Sequence, residues 1–367
     1  MKKVFSTLFL SVLLASSTMV FSGCNKVSSK IHLDFGSIQS QDISNITDLP
    51  ELKYNNLLSK ISHGDSFLLA IYNEGCGCWT DFQPVLTEFY NKTHCNVEYI
   101  NVYEFTGKDD LGLYLVPADL PSLAVYENGQ LKIQQVYLRD DRMMFKSYSN
   151  FKEFIDKNTV LPKMYYVEKD VLDSYIAENK EFNLYVARRE CGDCNAVTTE
   201  VLYDWNKNVE TVNNLLYVFD IQDYYPINPG EDATEEQKQK YQEDLVIYQD
   251  IKDTYGLSEK NNPVLGYDAN GAKGMVPTFQ RRKGSQIKDM MVVLNDYVDR
   301  ENSKVKSYFT STRVGQMSFL KDAKIKTILD GMELTSDQVT NWRSYKHEYY
   351  MNYHYPIVKL FLDTYVK

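Results

Sequence analysis

Two cysteines separated by two residues, in Glu190-Cys191-Gly192-Asp193-Cys194, stand between an apolar run, Phe182 to Ala187, and a helical pattern of Val197, Val201, Leu202 and Trp205. Such a short apolar run makes a strand buried on both faces, so the turn after it delivers the cysteines to the first turn of a helix. Two thiols placed there can form a small-loop disulfide and exchange it with the thiols of another protein. The order occurs twice. Phe67 to Tyr72 is a second apolar run, followed by Glu74-Gly75-Cys76-Gly77-Cys78-Trp79 and then by Phe82, Val85, Leu86 and Phe89 at helical spacing. Strand, cysteine turn and helix in succession point to an α/β architecture, and 367 residues suffice for two domains.

The formal net charge of -10 argues against a nucleic-acid surface and against a polybasic grip on anionic lipid. The first residues are read separately from the fold. Lys2 and Lys3 precede an apolar stretch from Val4 to Phe21 that ends at Ser22-Gly23-Cys24, the pattern of an export signal. Cysteine after Ser-Gly resembles the lipobox of bacterial lipoproteins, with Phe21 where leucine is usual. That resemblance implies cleavage of residues 1–23, a lipid on the Cys24 sulfur and an extracytoplasmic chain anchored to the bacterial cell membrane. An uncleaved membrane anchor is the alternative, and it too leaves the chain outside the cytoplasm. Residues 24–49, polar and rich in Ser, Gln and Asp, read as a flexible tether.

The first module is expected over 50–157. Asp48 is positioned to cap a helix starting near Pro50, with Leu52, Leu57, Leu58 and Ile61 on one side. Asn96 to Tyr103 reads as a strand. Leu120-Pro121-Ser122 opens another, which turns at Asn128-Gly129 into a return strand from Leu131 to Leu138, and Tyr148 to Ile155 is the closing helix. The second module, 158–367, repeats the plan: a strand over Met164 to Val167, a helix over Lys169 to Glu178, the strand before Cys191, a strand over Leu215 to Ile221, and Val276-Pro277-Thr278 before a hairpin.

This succession resembles the thioredoxin fold. In that family a Cys-x-x-Cys opens a helix, a proline kinks the helix eight residues after the first cysteine, and a cis-proline before the hairpin lies against the sulfurs. Pro84 follows Cys76 by 8 residues and Pro121 follows it by 45, which gives Cys76 the nucleophile position. The second cysteine position is then filled by Trp79, and Cys78 falls one place early. Three readings of this site stay open: a redox pair of Cys76 with Cys78, a structural bond from either to Cys95, and a degenerate module that only binds partners.

For the second module the resemblance implies that Cys191 attacks, Cys194 resolves, and Pro277 with Val276 shapes the groove for the partner's backbone, as Pro121 with Leu120 would in the first. A thiolate at a helix start gains from unpaired N–H groups and the helix dipole. Arg188 and Arg189 would add to this, while Glu190 and Asp193 oppose it. The family's buried acidic residue falls at Ala70 and Tyr185, neither of which is acidic. A single cysteine pair does not complete a metal site, so no metal and no cofactor beyond the cysteines is expected.

Pro277 follows Cys191 by 86 residues, which an insert over about 224–262 explains. Its core is a charged helix from Thr234 to Tyr255, capped by Thr234, whose Leu245, Ile247, Ile251 and Tyr255 are too few for a core of their own. It serves as a lid or partner face, or as a solvated helix docked on the module. Residues 300–335 read as a second excursion and Trp342 to Val366 as a long closing helix, with His347, Met351 and His354 on one face taken as packing or surface residues. The expectation is two tandem thioredoxin-like domains in a lipid-anchored thiol-disulfide oxidoreductase, acting on thiols or disulfides of exported proteins and recharged by a redox partner the sequence does not name. The alternative is a non-catalytic peptide- or partner-binding lipoprotein with structural disulfides.

Overall fold

A computed structural model describes residues 30–257 and 276–293, strand segments at 297–299, 304–306, 309–310 and 332–333, and residues 355–367. Residues 1–23, Cys24, the last part of the expected insert, most of the 300–335 excursion and the stretch with His347, Met351 and His354 lie outside the described residues.

The chain does not enter the fold as a coil. Residues 30–49, expected to belong to the tether, form a strap across both modules. Strand β1 (Ile31–His32) pairs in parallel with Thr159–Val160, and β2 (Gly36–Ile38) pairs in parallel with Tyr165–Val167 at the edge of the second sheet. The strap then bonds to the first module, where Ile43 N donates to Asn91 Oδ1 at 3.0 Å and Ile46 N to Thr87 Oγ1 at 2.8 Å. Ile31, Leu33, Ile38 and Ile46 are all buried. Its apolar residues are too sparse for a pattern within the strap, and they count only because two domains close over them. Gly36 is required here: a Cβ would overlap the Tyr165 ring and the His94 carbonyl.

Asp48 does not cap a helix at Pro50. Asn45 and Asp48 form a capping box around the single turn Ile46–Asp48, and helix α1 (Tyr54–His63) starts at an uncapped Lys53. The first module continues with β3 (Leu68–Tyr72), α2 (Gly77–Thr93), β4 (Val97–Asn101), β5 (Ser122–Glu127), β6 (Gln130–Val136) and α3 (Tyr148–Asn158). Its sheet runs β4-β3-β5-β6, with β3 parallel to β4 and antiparallel to β5. Period-two alternation divides β3 between two cores. Leu68, Ala70 and Tyr72 face α2 and α3, whereas Leu69 and Ile71 face α1.

After β7 (Thr159–Val160) the second module is built from β8 (Met164–Val167), α4 (Lys169–Ala177), β9 (Glu181–Ala187), a helical segment from Gly192 to Asn208, β10 (Leu216–Asp220), α5 (Glu235–Thr254), β11 (Thr278–Lys283), β12 (Gln286–Val293) and α6 (Tyr355–Tyr365). The sheet order is β12-β11-β9-β10-β8-β2, with Phe309–Thr310 beyond β12. The β8-β10-β9 trio is parallel, and β11 and β12 are antiparallel. The common core β10-β9-β11-β12 repeats the order β4-β3-β5-β6 of the first module, so the fold is α/β with two tandem thioredoxin-like sheets flanked by helices. Val358, Phe361, Leu362 and Val366 of α6 and its last turn pack fully buried beside the cysteine helix, a stabilisation of several kcal/mol. Helix α5 packs on the other face of the sheet. Tyr248, which the sequence reading passed over, joins Ile251 and Tyr255 in that core, while Ile247 points to solvent.

Candidate active site

Strand β9 ends at Ala187, and the turn Arg188 to Cys191 closes through Cys191 N donating to Arg188 O at 2.9 Å. Cys191 is the N-cap of the following helix, and its sulfur accepts the Cys194 N–H at 3.4 Å. The two sulfurs differ in environment. Cys191 is half-buried, whereas Cys194 is 1% exposed and its sulfur accepts the Arg188 N–H at 3.4 Å.

That difference sets the chemistry. The Cys194 thiol hydrogen-bonds to the Cys191 sulfur, and with the N–H groups of Cys194 and Asp193 it outweighs burial and the Asp193 charge, holding Cys191 at about 6. Cys194 is driven the opposite way, above the usual thiol range, by burial and then by its bond to Cys191. One sulfur is a thiolate at neutral pH and its neighbour is a sealed thiol. The arginine side chains are engaged elsewhere: Arg188 lies over the Tyr225 ring at 4.1 Å, and Arg189 is bonded to Asp220 and Asp223.

Beneath the cysteines sits Tyr185, fully buried. Its hydroxyl donates to the Cys194 carbonyl at 3.1 Å, and Thr198 Oγ1 donates to the same carbonyl at 2.9 Å. The helix changes character there. Gly192–Ala196 is α-helical, Val197–Leu202 is a π-helical segment and Tyr203–Asn208 is α-helical again. Thr199, eight residues after Cys191, lies within the π segment, where the first module has Pro84. Both devices interrupt regular helix bonding near the cysteines.

Val276-Pro277 is a cis peptide, and so is Leu120-Pro121. The antiparallel pairing Thr278↔Val186 carries Pro277 to the end of β9 from which the cysteine turn departs, and Val276 packs on the same apolar cluster as Cys191. In the first module the correspondence is closer still: Cys76 Sγ lies 3.3 Å from the Leu120 carbonyl oxygen.

Cys76 and Cys78 are disulfide-bonded, with both residues half-buried around the exposed Gly77. Cys95 is a separate buried thiol, pushed well above its ordinary pKa by burial, so the expected alternative of a bond to Cys95 is not made. Trp79 takes the sealed position that Cys194 holds in the second module. It is 5% exposed and stacks on Tyr72 at a centroid distance of 4.5 Å. Sequence reasoning missed the strap, the π segment and the pairing of Arg188, Arg189 and Glu190 with residues 220–225. The Gly36-x-Ile38 and Asp220-x-x-Asp223 patterns are too short to have signalled them.

No family model matches the sequence, and no curated protein matches it either. Among solved structures it is similar to human ERp44 at 14% identity and TM-score 0.22, over 50% of this chain and 50% of that one. ERdj5 matches at 14% identity and TM-score 0.24, over 55% of this chain and 30% of that one. The first two thioredoxin domains of Saccharomyces cerevisiae Eps1p match at 12% identity and TM-score 0.21, over 48% and 76%. The chain thus spans half or less of the length of the first two. The thioredoxin-like assignment rests on strand order and on the placement of cysteines and cis-prolines given above.

Proposed function

We propose that the protein is a thiol-disulfide oxidoreductase working through Cys191 and Cys194. The observation that carries this reading is the asymmetry of the pair: a half-exposed sulfur held at about 6 beside a buried thiol, next to the cis peptide Val276-Pro277. At pH 7 roughly nine in ten Cys191 groups are thiolate. The thiolate attacks one sulfur of a client disulfide, forming a mixed disulfide and releasing the other client sulfur as a thiolate. Cys194 then attacks the Cys191 sulfur, its proton passes to the second departing client sulfur, and solvent protonates the first. The client leaves with two thiols and the pair as a disulfide, two electrons having moved. The same steps in reverse oxidise a client dithiol. Pro277, having no N–H, leaves the client's backbone free to lie across the sulfurs.

Clients would be exported proteins, met outside the cytoplasm by an enzyme tied to the membrane through lipid on Cys24 and recharged by a further redox protein. The export signal and the Ser-Gly-Cys24 sequence support this part. For the first module, a second reading has support of its own. With Trp79 in the sealed position, Cys76 and Cys78 lack a buried resolving thiol, which favours holding a client against Leu120-Pro121 over turnover.

In a chain beginning after Cys24, Cys191→Ser is expected to abolish reduction of a test disulfide, and Cys194→Ser to accumulate mixed disulfides with extracytoplasmic proteins. Activity that survives Cys191→Ser and disappears in Cys76→Ser would move the active site to the first module.

A further inference from the structure

The three residues before Cys191 carry charges, and each charge is held by the last residue of β10 or by the stretch that follows it. Arg188 stacks on Tyr225 at 4.1 Å. Arg189 donates from Nη1 to Asp220 Oδ2 at 3.1 Å and bonds to Asp223 as well. Glu190 is held twice by one amide: Gln222 Nε2 donates to Glu190 Oε2 at 3.0 Å, and Gln222 Oε1 accepts the Glu190 N–H at 3.3 Å. Gln222 is only 8% exposed, so its amide is fixed within the fold, while the Glu190 carboxylate that it holds is at the surface. Asp220 Oδ1 joins the two segments by accepting both the Arg189 N–H at 3.2 Å and the Gln222 N–H at 2.9 Å. Tyr225 in turn packs edge-on against Tyr248 of α5, with centroids 5.4 Å apart, which ties the clamp to the insert.

We propose that Asp220, Gln222 and Tyr225 are positioning residues for Cys191, which hold the charges of Arg188, Arg189 and Glu190 off its sulfur so that only Cys194 and the helix start govern its reactivity. The proposal deepens the oxidoreductase reading and rests on it for its consequence. Backbone donors of the turn are committed too: the N–H of Arg189 and of Glu190 go to the clamp, and that of Arg188 goes to Cys194 Sγ. What remains to stabilise a Cys191 thiolate is the Cys194 thiol and the start of the helix. Breaking the clamp at Gln222 leaves a carboxylate without its partner one residue from the thiolate, and a like charge at that range disfavours ionisation. A less stabilised thiolate also makes the pair more reducing.

The test is a thiolate absorbance titration of Cys191 and a glutathione-equilibrium measurement of the Cys191/Cys194 potential, in the chain beginning after Cys24. Gln222→Ala is expected to raise the titration midpoint by about 0.5 pH and to lower the potential, and adding Glu190→Gln should restore both. Glu190→Gln by itself is expected to change neither, because the carboxylate is already held away. A Gln222→Ala variant with lowered melting temperature and unmoved midpoint and potential would show a merely structural contact and overturn the proposal. So would a Glu190→Gln single variant that shifts the midpoint, a result obtainable even where Gln222→Ala fails to fold. Both measurements read the sulfurs without any client, so a shifted midpoint in a protein that turns over no disulfide leaves the clamp standing and removes only the oxidoreductase reading.

Discussion

The two cysteine turns occupy the same place in the same strand order and differ by a single residue of register. In the second module the residue three after the first cysteine is Cys194; in the first it is Trp79, and the second sulfur has moved out to the half-buried position 78. The layer beneath compensates. Six residues before the first cysteine the first module has Ala70 and the second has Tyr185. Each module therefore has one large ring and one small side chain at these two positions, Trp79 with Ala70 or Tyr185 with Cys194, and all four residues are buried in the core of their module. The ring supplies the packing in both, while its choice of layer decides whether a sulfur can be sealed below a reactive one. A helix interruption is supplied in both modules too, by Pro84 in one and by the π segment Val197–Leu202 in the other.

The sharpest way to break this comparison is chemical. Alkylation of the native protein should modify Cys191 at a rate that rises through about pH 6 and levels off above it, because its thiol is held at about 6. Cys194 and Cys95, whose thiols burial pushes up, should stay unlabelled, and Cys76 and Cys78 should react only after their disulfide is reduced. Peptide mapping of the label at several pH values reads all five sulfurs, and labelling of Cys194 ahead of Cys191 would reverse the assigned roles.

Packing gives the next effect in size. Trp79→Cys removes a buried ring and is expected to cost about 3–5 kcal/mol in denaturant unfolding. Ala70→Tyr alone should overpack the same core, at about 1–3 kcal/mol. The double variant should be more stable than the sum of the two losses predicts, by about 1 kcal/mol or more. Strict additivity would show that the two layers do not share one space. The smallest effect is expected for Tyr185→Phe, which removes a hydroxyl that shares the Cys194 carbonyl with Thr198. It should lower stability by about 1 kcal/mol and leave the pH profile of Cys191 labelling in place, since that profile rests on Cys194 and the helix start.

Much of the architecture can be read from local pattern. The apolar runs before each cysteine turn became β3 and β9, the amphipathic stretches after them became helices, and Leu120-Pro121 and Val276-Pro277 are both cis. Helix α5 begins after the capping Thr234 as its sequence implies. The strap escaped because Ile31, Leu33, Ile38 and Ile46 follow no single period, and each is buried by different neighbours. The partners of Arg188 and Arg189 escape a local reading because they lie further along the chain, Asp220 being 31 residues from Arg189.

By itself the sequence determined the strand, cysteine turn and helix units and the prolines that follow them, because those features depend on side chains a few residues apart competing for the same turn of backbone. The tertiary structure decided which sulfur of the pair is half-buried and which is sealed, that Cys76 bonds to Cys78 and not to Cys95, and where the charges before Cys191 go. Those outcomes depend on burial and on partners brought together from distant positions, and a thiol's proton affinity follows its surroundings more than its neighbours in the chain.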